Sequence, residues 1–226
     1  MTNRGVLFDI DGTLVDTTYL HAVCWAESLR DAGHHIPTAD VHHAIGMGGE
    51  QLLDRLLGAQ RDREQDDDLK QAHITLYKQY WGRLDVMPGA RELLRRCKAA
   101  GLAVVLASSA SKEELEELRA TLDVDDAIDV ATTADDAEDA KPSPDILQVA
   151  LERSGLAADE AVFIGDAVWD GEAARRGGVT FVGVTCGGTP AADLREAGAV
   201  EVFRDPADLL ASFDDSPIGR LLAATA

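Results

Sequence analysis

Six short apolar segments, each continuous rather than alternating in hydrophobicity, recur along this 226-residue chain. Continuous apolar runs of this length are typical of strands that are covered on both faces, as in parallel sheets. Helical patterns lie between them, and strands that alternate with helices predict a doubly wound, Rossmann-like α/β sheet. The six predicted strands are 5–10, 102–107, 128–132, 161–165, 179–184 and 200–203.

The predicted helices of the second half of the chain carry start signals. One helix follows Pro88, another follows Pro142, and a terminal helix follows Pro217. A further helix begins at Ser111, with Glu114 three residues later in the spacing of a capping box. These signals place helices between the predicted strands, as a doubly wound sheet requires.

Residues 17–85 interrupt this alternation, because they contain helical patterns only. We therefore predict an inserted helical cap domain at 17–85 and a catalytic core formed by 1–16 and 86–226. The expected cap helices are 17–32, about 38–45, 48–58 and 66–82.

Charge and composition argue against several classes of partner. The formal net charge is −20 at pH 7, and only five of the 21 basic residues are lysines. Such a surface repels nucleic acid and anionic membranes, and no apolar run approaches the roughly 18 residues of a membrane span, so neither partner is expected. The chain lacks a signal-peptide pattern, and its three cysteines form no CxxC pair. We expect a cytoplasmic protein, either a monomer or a homodimer.

Acidic residues follow the first strand where its apolar run stops. Asp9 and Asp11 are separated by a single residue in LFDIDGTLVD, and Gly12 comes directly after them. In open α/β sheets, ligands bind beyond the carboxyl ends of the strands. Two carboxylates this close repel each other unless a cation or a shared proton offsets their charge, and glycine lets the backbone approach a ligand. Taken alone, the pair is also compatible with a strand end or a helix cap.

Three other segments carry polar residues that complete such a site. LASS ends with Ser108 and Ser109, AKPSPD contains Lys141, and GDAVWD contains Asp166 and Asp170. Each segment alone is compatible with a helix cap or a surface residue. Together, at one edge of the predicted sheet, they indicate a site with two acid pairs, hydroxyl donors and a lysine.

The four segments, in this order and spacing, resemble the motifs of haloacid dehalogenase-type (HAD) phosphatases over nearly the whole chain. The resemblance implies hydrolysis of a phosphate ester through an aspartyl-phosphate. Asp9 would be the nucleophile and Asp11 the general acid and base. Ser108 and Lys141 would hold the phosphoryl oxygens.

Further site residues are implied by the same resemblance. Mg²⁺ would be held by Asp9, the backbone carbonyl of Asp11 and Asp166, with Asp170 orienting these ligands. The amides of Asp11 and Gly12 are expected additional donors. An Asp at position 11 resembles the phosphatases and phosphomutases, whereas the dehalogenases lack this acid.

The cap region resembles the helical cap that one branch of the family places between the first and second motifs. The spacing of Asp16-Thr17, His21 and Trp25 looks like that of the β-phosphoglucomutase and sugar-phosphatase branch. His21 and Trp25 are expected to contact substrate, although residues four apart on a helix are equally compatible with core packing. Ser109 and the loop glycines Gly48 and Gly49 are the other expected substrate contacts.

Two departures favour a phosphatase over a mutase. In the mutase branch an arginine grips the distal phosphate of the substrate, and Gly49 falls at that place. The mutase also carries a Glu-Asp pair in its fourth motif, where this chain has Gly165 and Asp166. We therefore predict a monophosphatase for a sugar phosphate or phosphoglycolate. A β-phosphoglucomutase-type mutase and a non-catalytic HAD binding protein remain the alternatives.

Overall fold

The computed structural model describes residues 4–137 and 139–224. Its strands are β1 (Gly5–Phe8), β2 (Ala103–Ala107), β3 (Val130–Thr132), β4 (Ala161–Gly165), β5 (Thr180–Val184) and β6 (Glu201–Phe203). They form one parallel sheet in the order β3-β2-β1-β4-β5-β6. All six predicted strands are present, and the predicted doubly wound α/β sheet is confirmed.

The chain between β1 and the rest of the core contributes only helices to the fold. They are α1 (Thr18–Asp31), α2 (Thr38–His42), α3 (Gly49–Leu57), α4 (Asp66–Tyr77) and a 3₁₀ helix at Lys78–Arg83. Their apolar faces form a separate core, which includes Trp25, Leu29 and Leu53. The inserted helical cap is confirmed, and its bounds at 17–85 stay a prediction. The last cap helix is shorter than expected, because the chain tightens into the 3₁₀ helix after Tyr77.

Helices cover both faces of the sheet. One face carries α5 (Ala90–Ala99) and α6 (Lys112–Leu122), and the other carries α7 (Asp145–Ser154), α8 (Val168–Gly177) and α9 (Ala191–Glu196). Two more helices, α10 (Pro206–Ala211) and α11 (Pro217–Ala223), complete the first face. In β1, Val6 and Phe8 pack against the first layer, whereas Leu7 packs against the second. The apolar runs are continuous because both faces of each strand are buried.

The two segments that connect cap and core run side by side. Val15 pairs with Val86 in an antiparallel bridge, and the Asp16 N–H donates to the Asp85 carbonyl at 2.9 Å. This short ladder places the cap directly beyond the carboxyl end of β1. Among the described residues, no helix combines the length and the hydropathy that crossing a bilayer requires.

Candidate active site

The loop after β1 makes a tight turn at Gly12. Gly12 has a φ of +78°, and its N–H donates to the Val15 carbonyl at 2.8 Å. A Cβ here would overlap the Thr18 hydroxyl and lie 2.5 Å from Asp166 Oδ2, so only glycine fits. The turn uses the Gly12 N–H in this structure, and the binding of a phosphoryl group by the amides of Asp11 and Gly12 stays a prediction. Gly12 also provides the space that lets Asp166 approach the loop.

Lys141 lies at the centre of a group of buried charges. Its ammonium donates to Asp9 and forms an ion pair with Asp170 Oδ1 at 2.8 Å. The lysine is only 1% exposed. Burial favours the neutral amine, but the two carboxylates outweigh burial and hold the pKa of Lys141 above its usual value. The charges of this site are therefore buried in direct contact with each other.

Asp9, Asp166 and Asp170 form a buried carboxylate cluster. Each offers one oxygen, and the three oxygens lie within 4.8 Å of one another. Asp166 also accepts a hydrogen bond from Thr13 Oγ1 at 3.0 Å. Burial raises the pKa of Asp9 to about 7 even though Lys141 lowers it, and burial together with Asp170 raises the pKa of Asp166 well above its usual value.

This carboxylate cluster can hold a metal ion. Its three carboxylates and one ammonium, Lys141, leave a formal charge of −2 in a buried space. Burial, and after it repulsion from the neighbouring carboxylates, raises the pKa values of Asp9 and Asp166, and a bound cation would favour their ionised forms. The donors are all oxygen atoms, as Mg²⁺ prefers. The residues therefore fit a hard divalent cation.

Asp11 faces a different set of partners from Asp9. Its Oδ1 accepts a hydrogen bond from Thr17 Oγ1 at 2.6 Å and lies 3.3 Å from His21 Nε2. Burial favours the protonated acid, but the hydrogen bond and charge of His21 outweigh burial and lower the pKa of Asp11. The two acids are one residue apart, yet their environments shift their pKa values in opposite directions. Such divergence is typical of carboxylates with different catalytic roles.

His21 links Asp11 to both the core and the cap. Its Nε2 also lies 3.4 Å from Glu114 Oε1 on α6, and its Nδ1 lies 3.1 Å from His73 Nε2 on α4. The Tyr77 ring stacks on the imidazole, with 3.9 Å between ring centroids. Burial lowers the pKa of His21, but Asp11 and Glu114 outweigh burial and raise it, whereas burial lowers the pKa of His73. These shifts favour the charged form of His21 and the neutral form of His73.

A cavity of about 260 Å³ lies between the core and the cap. Its core side contains Asp9, Asp11 and Lys141. The residues that we predicted as substrate contacts and that line it are His21, Trp25, Gly48, Gly49 and Ser109. The structure thus brings these residues to one space, and their contact with substrate stays a prediction.

The two serines after β2 differ in their contacts. Ser108 is fully buried, and its Oγ accepts a hydrogen bond from the Ala110 N–H at 3.0 Å. Ser109 Oγ is buried at the wall of the cavity and has no hydrogen-bond partner among the described residues. A buried hydroxyl without a partner is costly, so the Ser109 hydroxyl is available to a ligand. Ser108 only accepts in its bond with Ala110, so its hydroxyl can still donate, and its contact with a phosphoryl oxygen stays a prediction. Ser108 lies behind Ser109 and supports the turn.

Glu114 shows where the local sequence pattern predicts only part of the structure. Ser111 Oγ accepts a hydrogen bond from the Glu114 N–H at 3.3 Å, which is one half of the predicted capping box. The Glu114 carboxylate, however, contacts His21 of the cap instead of the start of its own helix. Burial raises the pKa of Glu114 to about 7, although His21 lowers it.

The sequence patterns did not indicate that α4 contributes to the site. Lys70 and His73 line the cavity, and Tyr77 stacks on His21. The spacing of these three α4 residues, three and then four apart, places them on one helix face. This spacing was available in the sequence, but no local signal says that this face meets the cavity.

Comparison with known proteins agrees with this geometry. The sequence model of the haloacid dehalogenase-like hydrolase family matches residues 4–178 of the chain. The chain belongs to this hydrolase family. The predictions of the family and of a phosphatase enzyme are confirmed.

Relatives of this HAD-like hydrolase include a curated protein and solved structures. The phosphoglycolate phosphatase of Escherichia coli strain K12 is 30% identical over 208 residues, which cover 81% of this chain and 82% of that protein. A hydrolase from Pseudomonas syringae is 34% identical with a TM-score of 0.89, covering 94% of this chain and 99% of that chain. A β-phosphoglucomutase from Clostridium difficile is 21% identical with a TM-score of 0.82, covering 99% of each chain, and at this identity it shows the fold alone.

Proposed function

We propose that this HAD-like hydrolase is a Mg²⁺-dependent phosphatase that acts on a small phosphorylated metabolite through an aspartyl-phosphate. The observation that carries the proposal is the pair at the end of β1, where Asp9 contacts Lys141 and Asp11 contacts Thr17 and His21. A nucleophile and a separate proton carrier are the two groups that a two-step phosphoryl transfer requires.

In the first step, a carboxylate oxygen of Asp9 attacks phosphorus, and the bond between phosphorus and the ester oxygen breaks. Asp11 gives a proton to that oxygen, which leaves as an alcohol. His21, 3.3 Å from Asp11, can give this carboxylate the proton that it passes to the ester oxygen. Lys141 offsets the negative charge that gathers beside Asp9.

In the second step, water attacks the phosphorus of the aspartyl-phosphate. Asp11, now ionised, takes a proton from that water, and the bond between phosphorus and Asp9 breaks. The products are inorganic phosphate and the regenerated Asp9 carboxylate. The same residue therefore acts as acid in one step and as base in the next, which fits its position apart from the Asp9 cluster.

Mg²⁺, when bound, would neutralise negative charge on the phosphoryl oxygens. Asp9, Asp166 and the Asp11 carbonyl are the groups that would hold it. Asp170 is fixed by the Ala167 N–H at 3.0 Å and by Lys141, so it orients this group of residues from behind.

The substrate class follows from the relatives and from the size of the site. Relatives that are 27% and 30% identical are named phosphoglycolate phosphatase. The cavity of about 260 Å³ suits a small ester. We therefore place phosphoglycolate first and sugar phosphates second among candidate substrates.

The compartment and assembly are part of the same proposal. Cys24, Cys97 and Cys186 are free thiols, which favours a reducing compartment such as the cytoplasm. We propose a cytoplasmic monomer or homodimer whose only required ligand, besides the metal ion, is the ester.

The test is release of inorganic phosphate in the presence of Mg²⁺ from a panel of esters. The panel contains phosphoglycolate, hexose and pentose phosphates, β-glucose 1-phosphate and p-nitrophenyl phosphate. We expect release from at least one ester, reversible loss of release with EDTA, and a decrease of at least about a thousandfold in Asp9→Asn. Asp159→Asn, an exposed acid before β4, is the matched control and should retain activity.

Two results would overturn the proposal. Conversion of β-glucose 1-phosphate to glucose 6-phosphate without net phosphate release would show a mutase. Full activity of a correctly folded Asp9→Asn protein, checked by circular dichroism, would remove Asp9 as the nucleophile.

A further inference from the structure

The cap side of the cavity is lined by a lysine that the proposed hydrolysis does not use. Lys70, on α4, lines the same cavity as Asp9 and Lys141. A Cβ built on Gly49 would lie 3.4 Å from both Cγ and Cδ of Lys70, and 3.5 Å from Cζ2 of Trp25. The aliphatic part of Lys70 therefore runs across Gly49, where a larger residue would compete with it for space.

The other cations around this cavity are already held by acids. Lys141 lies between Asp9 and Asp170, and His21 contacts Asp11. Among the described residues that line the cavity, Lys70 is the cation that contacts none of the catalytic acids.

The ion pair that Lys70 forms in this structure is exposed and therefore weak. Lys70 Nζ lies 2.7 Å from Asp67 Oδ1, and the Asp67 side chain is 94% exposed. Ion pairs of such exposed groups contribute little to stability, because water and salt screen them. An anion inside the cavity, where less water competes, would be the stronger partner for the ammonium.

Apart from His73 and the glycine loop at 46–49, the rest of the cap wall is apolar. Its apolar residues are Trp25, Ile45, Met47, Leu52 and Ile74. A charged group on the ligand would lose hydration against this wall without a compensating partner. Lys70 can form a charge-assisted hydrogen bond with an anion, and its bond with an uncharged group would be weaker.

The position of Lys70 along α4 separates it from the reacting end of the cavity. Tyr77 stacks on His21 beside Asp11, and Lys70 lies seven residues before it on the same helix. Seven residues of α-helix span about 10 Å. The Lys70 backbone therefore lies two helical turns from the reacting end, and its side chain, which passes Gly49, would bridge part of that distance to reach the far end of a short ester.

We propose that Lys70 is a specificity-determining residue that selects phosphate esters with a second anionic group, a carboxylate or a second phosphate, on the alcohol. The inference rests on the proposed phosphatase function and deepens it, because it names the class of ester. It also gives Gly49 a physical role, since the absence of a side chain there leaves room for the stem of Lys70.

The experiment compares Lys70→Met with the wild-type protein on three esters in the presence of Mg²⁺. The esters are phosphoglycolate, which carries a carboxylate, glucose 1,6-bisphosphate, which carries a second phosphate, and 2-hydroxyethyl phosphate, which carries neither. We expect the ratio of kcat/KM for phosphoglycolate to that for 2-hydroxyethyl phosphate to fall about 10–100-fold, mainly through KM. Lys70→Arg should restore most of the ratio.

Lys98→Met is the matched control, because Lys98 is similarly exposed and pairs with Asp129 at the surface of the core, away from the cap. This variant should keep the wild-type ratio. An unchanged ratio in Lys70→Met for both anionic esters would overturn the inference. An equal loss on all three esters would also overturn it, because it would indicate a structural role. A fall confined to the bisphosphate would support the inference with phosphate as the second group.

Binding measurements separate failure of this inference from failure of the proposed function. Calorimetric titration of phosphoglycolate into Asp9→Asn protein with Mg²⁺ needs no turnover. We expect the Kd to rise about 10–100-fold when Lys70→Met is added to Asp9→Asn. Equal Kd values in the two proteins would overturn the role of Lys70 even if no ester were hydrolysed. Asp67→Asn, which removes the present partner of Lys70, should not weaken binding.

Discussion

The carboxyl edge of the sheet and the cap wall of the cavity hold their charges in different ways. At the sheet edge, Lys141 is 1% exposed and contacts Asp9 and Asp170 directly. On the cap, the Lys70 side chain is 37% exposed and pairs with Asp67 at the surface. Buried charges in fixed contact preorganise one reaction but tolerate little change. A half-exposed lysine can change with little effect on folding, so the core determines the reaction and the cap can determine the ester.

The largest effect that tests this contrast is expected at Lys141. Lys141→Met leaves Asp9, Asp166 and Asp170 buried without their cation, so we expect the free energy of unfolding to fall by about 3–5 kcal/mol. Phosphate release should fall at least about a thousandfold. Urea denaturation at pH 7 and the release assay measure the two effects.

The control for Lys141→Met is Lys98→Met, a surface lysine for which we expect a change within about 0.5 kcal/mol. An unchanged urea midpoint in Lys141→Met would show that removing this buried lysine costs no more stability than removing a surface lysine. That result would contradict the contrast between the sheet edge and the cap.

Two glycines provide the next test, one from each region. Gly12 has a positive φ and no room for a Cβ, so Gly12→Ala should lower the free energy of unfolding by about 2–4 kcal/mol. Gly49 begins α3, and a Cβ there meets only ordinary contacts of 3.4 Å and more. Gly49→Ala should therefore change stability by less than about 0.5 kcal/mol. Thermal denaturation of both variants checks the pair, and equal losses would contradict the contrast.

The third test lies where core and cap meet, at Glu114. Burial raises its pKa from 4.5 to about 7, so the folded protein binds this proton more tightly than the unfolded chain. The contribution of Glu114 to the free energy of unfolding of the wild-type protein is therefore lost as pH rises from about 4.5 to about 7. Glu114→Gln removes this titration, so the free energy of unfolding of the variant relative to wild type should rise by about 2–3 kcal/mol from pH 5 to pH 8.

Denaturation curves at several pH values measure this difference. Glu116→Gln, an exposed glutamate on the same helix, is the control and should follow the wild-type pH profile. A Glu114→Gln profile parallel to that of the wild type would show that the Glu114 carboxylate is not buried against His21 in solution.

The agreement between sequence and structure is closest in the core. The ends of β4 coincide with the predicted 161–165, and the other strands differ by one or two residues at an end. Strand patterns and motif spacing are local features of the sequence, so they can be recognised without knowing how the elements pack. The sequence predicts the tight turn at Gly12 but not the close approach of Asp166, because Asp166 comes from a distant element.

The cap was harder to predict for a physical reason. Its helices were placed correctly to within a few residues, apart from the 3₁₀ end of α4, but the sequence does not state how each helix is rotated. Rotation decides which face of α4 meets the cavity, and therefore whether Lys70 and His73 contact a ligand or the solvent. Tertiary packing against α1 sets this rotation.

By itself the sequence determined the parallel α/β sheet, the helical insert and the four polar segments at one edge, because periodicity and spacing follow the chain. Only the tertiary structure decided that His21 joins Asp11 to Glu114, and that Lys70 crosses Gly49 inside the cavity. These residues are distant in sequence, and side chains from different elements meet only when the cap packs onto the core. The reaction is therefore visible in the sequence, whereas the selection of the ester depends on that packing.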